Sequence, residues 1–206
     1  MKQVESQGLI GFQFEDERFP QHVFGGRNGL DQGNFAYSGG RDRKAAQKVR
    51  QTWCEFLNCD WNRLVVGGQT HSNNVLEVDK THSGRGALAP ETVLPETDAL
   101  LTTSRDLPLY IAVADCAGIL LASKEKVGLV HAGWRGLQSN ILQKALLSFP
   151  LDEVVVGIGP CISAHSYEVG VDVAQHAPEG VKYKGKVNKW QLDIGRWAHL
   201  QLLECG

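Results

Sequence analysis

No apolar run in the chain approaches the roughly 20 residues of a membrane span. The opening MKQVESQGLIGFQF has no apolar signal segment followed by a small-residue cleavage site. An excess of one charge is also missing. The 21 basic and 23 acidic residues leave a formal charge of −2, so there is no general field for nucleic acid or an anionic membrane. These absences predict a cytoplasmic protein whose partners include neither nucleic acid nor membrane. None of the five cysteines, at 54, 59, 116, 161 and 205, falls in a CxxC pair, which excludes a zinc ribbon or a thioredoxin-type motif. Cys54, Cys59 and Cys205 read as small, buried, reduced side chains. Internal repeats and low-complexity tracts are lacking as well.

What remains is ordinary for a globular chain. It has 206 residues, 42% of them hydrophobic, and a mean hydropathy of −0.22, enough for one domain over 1–206 with a sizeable core. Periodicity predicts a helix over 42–57, where Ala45, Val49, Trp53 and Phe56 recur three or four apart. Strands are expected over 64–67 and 75–78, flanking "GGQTHSNN". The Gly/Pro/Thr-rich "DKTHSGRGALAPETVLPETD" follows as a long excursion, of a length that usually marks a functional or mobile loop. Three short β-type runs are expected at 109–114, 119–122 and 126–130. A helix over 137–149, a strand over 153–158, a short helix over 171–176 and a final strand end and helix complete the chain. The pattern predicts an α/β class, with a single layered domain of mixed β-sheets and helices packed outside.

Three of these elements end in a soft-metal ligand: His71 after 64–67, Cys116 after 109–114, and His131 at the close of 126–130. Strand ends meet in a sheet, so distant residues can converge there. One Cys and two His suit zinc, with a fourth tetrahedral position left open. The corner "VHAGWRGL" adds Gly133 and Gly136, which permit a sharp turn and close backbone approach. Trp134 there reads as packing rather than stacking on a base. N–H groups at the start of the following helix favour an anion. Arg135 then has two readings, a bidentate phosphate clamp or a brace paired with a nearby Asp.

"GGQTHSNNV", "TDALLTT", "VADCAGILL", "VHAGWRG" and "IGPCISAHSYEVG", in that order, closely resemble the multicopper polyphenol oxidase or laccase-domain family, which includes the bacterial YfiH-like proteins. The resemblance runs from about His22 to Asp193. It implies a zinc site at His71, Cys116 and His131, and a layered α/β fold of mixed sheets between helices. It also implies purine nucleoside phosphorylase activity, with adenosine deaminase and methylthioadenosine phosphorylase activities beside it. The substrates would then be a purine nucleoside and phosphate.

Phosphorolysis needs phosphate below the sugar and a route for charge into the departing base. Arg135, with Arg27 and Arg50 as further candidates, would hold phosphate. Asp115 or Asp98 would protonate or orient the base, although Asp115, beside a ligand, equally suits support of a zinc-bound His. Deamination fits zinc more directly, because the metal lowers the pKa of water to roughly 7. Tyr167 and His165 are expected to line the pocket, and Cys161 reads as a packed thiol. The chain departs from the family at Gly118, where Pro is usual, and at "RNGLDQG", where Asp31 takes a Ser position. No Tyr-Ser-x-Arg-Arg segment precedes the final "LLECG", so substrate contacts are expected to differ. The rival reading makes Cys116 and His131 a metal-free dyad for amide hydrolysis in a cell-wall precursor. Copper ranks below zinc, because a multicopper oxidase needs more clustered His than the seven scattered here.

Overall fold

Residues 1–37 and 42–206 are described by the computed structural model. Two strands, β1 (Lys2–Ser6) and β2 (Leu9–Gln13), form a hairpin extended by β3 (Phe24–Gly25). The first helix, α1 (Arg43–Phe56), starts at Asp42, whose side chain accepts the Lys44 N–H. It buries the stripe Ala45, Ala46, Val49 and Trp53, as the spacing predicts. Strands β4 (Val65–Gly68), β5 (Val75–Glu77), β6 (Leu94–Pro95), β7 (Ala99–Thr102) and β8 (Leu109–Tyr110) follow. Next come β9 (Ala117–Ala122), β10 (Val127–Ala132), the short helices α2 (Trp134–Gln138) and α3 (Ile141–Leu146), and β11 (Val155–Ile158). The chain ends with β12 (Glu168–Gly170), α4 (Val171–Ala174), β13 (Lys182–Lys184), β14 (Lys189–Leu192) and α5 (Ile194–Leu203).

The central sheet has the order β11-β9-β10-β7-β5, antiparallel except for the parallel β5–β7 pair. Side chains alternate across it. Ala99, Leu101, Ala117, Ile119, Leu121, Val130 and Ala132 enter the main core with α2, α3 and α5. Cys116, Gly118, Leu120, Leu129 and His131 therefore belong to the opposite face. On that side, three-stranded sheets β6-β4-β8 and β1-β2-β3 lie with α1. The mixed-sheet α/β class is as expected.

Several elements differ from the sequence reading. The run at 109–114 is a strand only as far as Tyr110. Beyond it, the Gln69 side chain takes over as partner, donating to the Ala112 carbonyl and accepting its N–H, both at 2.7 Å. The helix expected over 137–149 starts earlier, at Trp134, and breaks at Asn140, whose φ of 58° no helix continues. The buried Gln201 of α5 bridges that break, donating to the Leu137 carbonyl and accepting from the Leu142 N–H. The long excursion is ordered. It carries the turns Lys80–His82 and Pro90–Thr92 and buries Ala87 and Leu94.

A candidate metal centre at the end of the central sheet

His71, Cys116 and His131 come together. Their ligand atoms all lie within 4.8 Å of one another, and the two imidazole rings meet edge to face at 4.8 Å. Pairing of β9 with β10 sets His131 opposite Gly118 and Ala132 opposite Ala117, which brings Cys116 to the same sheet end. His71 arrives on the loop between β4 and β5.

One buried carboxylate shapes this floor. Asp98 is 0% exposed and His131 4%. Oδ1 of Asp98 accepts from His131 Nδ1 at 2.7 Å and from the His71 N–H at 3.0 Å. Oδ2 accepts from the N–H groups of Thr70 and Ser72 and from the Ser72 hydroxyl. The His131 N–H in turn donates to the Asp98 carbonyl. An ionised carboxylate only accepts, so Nδ1 carries the proton and Nε2 is left for a ligand. The same bonds hold His71 at a left-handed φ of 62°, uncommon for any residue but glycine.

The electrostatics follow from this network. Burial pushes Asp98 upward, but the bonds from His131, Ser72 and Thr70 outweigh it and hold the carboxyl well below its ordinary range. Burial works against charge on His131, yet Asp98 and the neighbouring Cys116 thiol raise it to about 9. His71 is lowered, first by burial and then by the charge of His131.

Gly133 leaves room for the trio. A Cβ there would lie 2.9 Å from His71 Cδ2 and 3.0 Å from Cys116 Sγ. Its φ of −80° suits any residue, so close approach explains the glycine and turn geometry does not. Gly136 likewise faces the Ser72 carbonyl, 3.1 Å from an added Cβ. The donor set and this cradle fit zinc.

The remaining candidates separate. Asp98 has both oxygens engaged and none exposed, so the expected role of protonating or orienting a base does not fit it. It supports His131 instead, the place that the sequence reading offered to Asp115. Asp115 is exposed, and its carbonyl accepts from the Ile162 N–H, which fastens the Gly-Pro-Cys-Ile loop behind Cys116. Arg135 is exposed, with its guanidinium 4.2 Å from the Trp134 ring centre and no ion pair among the described residues. The brace reading, which required a nearby Asp, therefore has no partner. Trp134 packs on the core and stacks on His176 at 6.0 Å. Arg50 is excluded as a phosphate group. It is 3% exposed, and its guanidinium donates to the carbonyls of Phe35, Gly86 and Ala87. Arg27 is exposed. Nothing is described of the Asp31 side chain. Burial raises the Tyr167 phenol, and the charges of Cys116 and Asp115 add to it, which places the ring near the trio. Cys161 is partly buried against the core, and His165 is exposed.

A cavity of about 810 Å³ contains none of the trio. It lies over Leu120 and Leu129, at the other end of the same sheet face, beside α1. The cavity and the trio are therefore different places, and among the described residues the trio is the group that could hold a metal ion.

The fold and trio define an α/β protein with a His-Cys-His group at a sheet end that could hold a metal ion. Residues 22–206 match the family described as multi-copper polyphenol oxidoreductase laccase, and the chain belongs to that family. A Bacteroides thetaiotaomicron protein named purine nucleoside phosphorylase is 29% identical, over 87% of this chain and 74% of its own length. The Bacillus subtilis purine nucleoside phosphorylase YlmD is 28% identical, over 77% of this chain. This chain spans less than two thirds of that relative, 62% of its length. The crystal structure of YlmD from Geobacillus stearothermophilus superposes with a TM-score of 0.89 at 26% identity, covering 99% of this chain and 83% of that one. The Bacillus licheniformis YfiH structure gives 0.84 at 20% identity, with 96% and 78% coverage, a likeness of fold.

Proposed function

We propose that this chain is a zinc-containing, cytoplasmic purine nucleoside phosphorylase, formed by a single domain over residues 1–206. It converts adenosine, inosine or guanosine and phosphate into free base and ribose 1-phosphate, with adenosine deaminase and methylthioadenosine phosphorylase activities beside it. The observation that carries this reading is the His71–Cys116–His131 trio backed by Asp98, in a chain whose relatives bear that enzyme name. Zinc suits two imidazoles and one thiolate. Copper oxidase chemistry would need ligands for several ions, whereas the described residues offer one such group.

When bound, zinc supplies Lewis acidity and a fixed positive charge at the floor of the site. The chain's own residues do the rest. Asp98 fixes the tautomer and direction of His131 and holds the loop that carries His71. Arg135, exposed and in no ion pair among the described residues, offers a planar two-point clamp for phosphate. Asp115, exposed beside Cys116, offers a carboxyl to the departing base, and Tyr167 bounds the site behind it. The test is a product assay on metal-quantified protein with and without phosphate. Phosphate-dependent base release with ribose 1-phosphate is expected. Equal release without phosphate would make the protein a hydrolase, and ammonia without base would make deamination the main reaction.

A second reading draws on one specific contact. Cys116 lies beside His131, whose Nδ1 donates to Asp98, the order of a thiol hydrolase acting on an amide of a cell-wall precursor. That reading needs neither His71 nor a metal. It expects iodoacetamide to alkylate Cys116 without prior chelation.

A further inference from the structure

The end of α1 brings two cysteines together away from the metal centre. Asn58, with φ of 50°, is the left-handed residue beyond the last turn. The Cys59 N–H donates to the Cys54 carbonyl at 2.8 Å and the Asn58 N–H to the Glu55 carbonyl at 3.1 Å. These are the paired bonds of a left-handed helix ending, in which the two residues joined by the outer bond also touch through their side chains. That contact is ordinarily apolar. Here Cys59 packs against the cluster that holds the buried Cys54, so two thiols take that place.

We propose that Cys54 and Cys59 form a reversible dithiol–disulfide pair, oxidised by a low-molecular-weight disulfide that enters through the cavity beside α1. The backbone bond between the same two residues holds their main chains close, as a disulfide requires. Both side chains line the cavity of about 810 Å³, together with Trp53, Leu57 and Leu64, so a small reagent has a route to them. Cys54 is buried and Cys59 only partly so, which sets the order of events. The neighbouring Cys54 thiol holds Cys59 below the ordinary thiol range, and Cys59, with burial, raises Cys54. Cys59 therefore supplies the attacking thiolate.

The Cys59 sulfur, its proton released to solvent, attacks one sulfur of the small disulfide. That S–S bond breaks, a mixed disulfide forms on Cys59, and the first small thiolate leaves and takes up a proton. The Cys54 thiol then loses its proton to solvent, and its sulfur attacks Cys59 Sγ and displaces the second small thiolate. Two protein thiols and one small disulfide become one protein disulfide and two small thiols. The protein loses two electrons, and the small disulfide gains them.

The test treats the reduced full chain with glutathione disulfide, quenches it with N-ethylmaleimide, and reads intact and peptide masses. Both cysteines fall on one tryptic peptide, residues 51–63. That peptide is expected to lose two hydrogens and to escape the maleimide label, and dithiothreitol should restore it. The C54S chain should retain glutathione on Cys59, because the resolving thiol is gone. A wild-type peptide that is fully maleimide-labelled, or that keeps a stable glutathione adduct, overturns the proposal. An unmodified C54S chain overturns it as well.

Discussion

Two regions of this chain are each organised around one buried charge, and they do so with opposite signs. At the end of the central sheet, Asp98 gathers donors from the 70–72 backbone, Ser72 and His131. Beside α1, Arg50 gathers acceptors, the carbonyls of Phe35, Gly86 and Ala87, between the rings of Tyr37 at 3.9 Å and Tyr110 at 4.8 Å. Each charge pins an irregular segment to a strand or helix, and each is well bonded, as a buried charge must be. The difference lies in what faces outward. Asp98 supports an imidazole of a trio that could hold a metal ion, whereas Arg50 meets main-chain carbonyls and tyrosine rings. A buried charge marks a held loop, and the donor set beyond it decides whether that loop serves chemistry.

The largest expected effect comes from Asp98→Ala. It strands His131 and three backbone N–H groups, and should cost about 3–5 kcal/mol of stability together with most of the metal. Asp98→Asn keeps the shape and sharpens the test through pH. The folded carboxyl titrates below its ordinary 3.8, so its stabilisation is present above that value and is lost as pH falls through the folded one. The stability gap between wild type and Asp98→Asn, read by denaturant titration, should therefore close in acid. A gap unchanged by pH would break the assignment.

Arg50→Ala should also destabilise, by about 2–4 kcal/mol, because three carbonyls lose their donor. Zinc per folded molecule and activity should remain near wild type. Parallel loss of zinc would show that the two regions are one unit. Gly133→Ala should leave thermal stability nearly unchanged and weaken zinc about 10–100-fold, as measured by competition with a chelator, because its methyl group meets His71 and Cys116. Arg135→Lys should have the smallest effect. The KM for phosphate rises, Arg135→Ala raises it further, and zinc content, melting temperature and phosphate-independent deamination stay close to wild type. Parallel loss of stability and both reactions would return Arg135 to structure.

The convergence of His71, Cys116 and His131 was legible in the sequence, because each stands where an apolar run stops, and strand ends converge. The α1 stripe was legible from its three-and-four spacing, and the runs that became β9 and β10 were legible as strands, though not as partners. What was hidden depends on contacts distant in sequence. The partner of His131 is Asp98, 33 positions away, while the adjacent-looking Asp115 points to solvent. Arg50 reads as a free cation until the carbonyls of Gly86 and Ala87 close on it. The break at Asn140 depends on Gln201 from the last helix, and the early end of β8 on the Gln69 amide. Strand β7 was concealed inside "TDALLTT", which served as a motif before it could serve as an element. The hairpin of β1 and β2 turns on Gln7 and Gly8, with φ of 49° and 78°, a conformation that Gly favours and Gln does not announce.

The most direct measurement compares His71→Ala with wild type by elemental analysis and by phosphate-dependent release of base from adenosine on the same preparation. His71 is the one member of the trio that a Cys116–His131–Asp98 hydrolase does not need. Wild type should carry about one zinc per chain and release base with ribose 1-phosphate, and His71→Ala should lose both together. Full zinc occupancy in His71→Ala, or undiminished base release without zinc, would contradict the three-ligand centre.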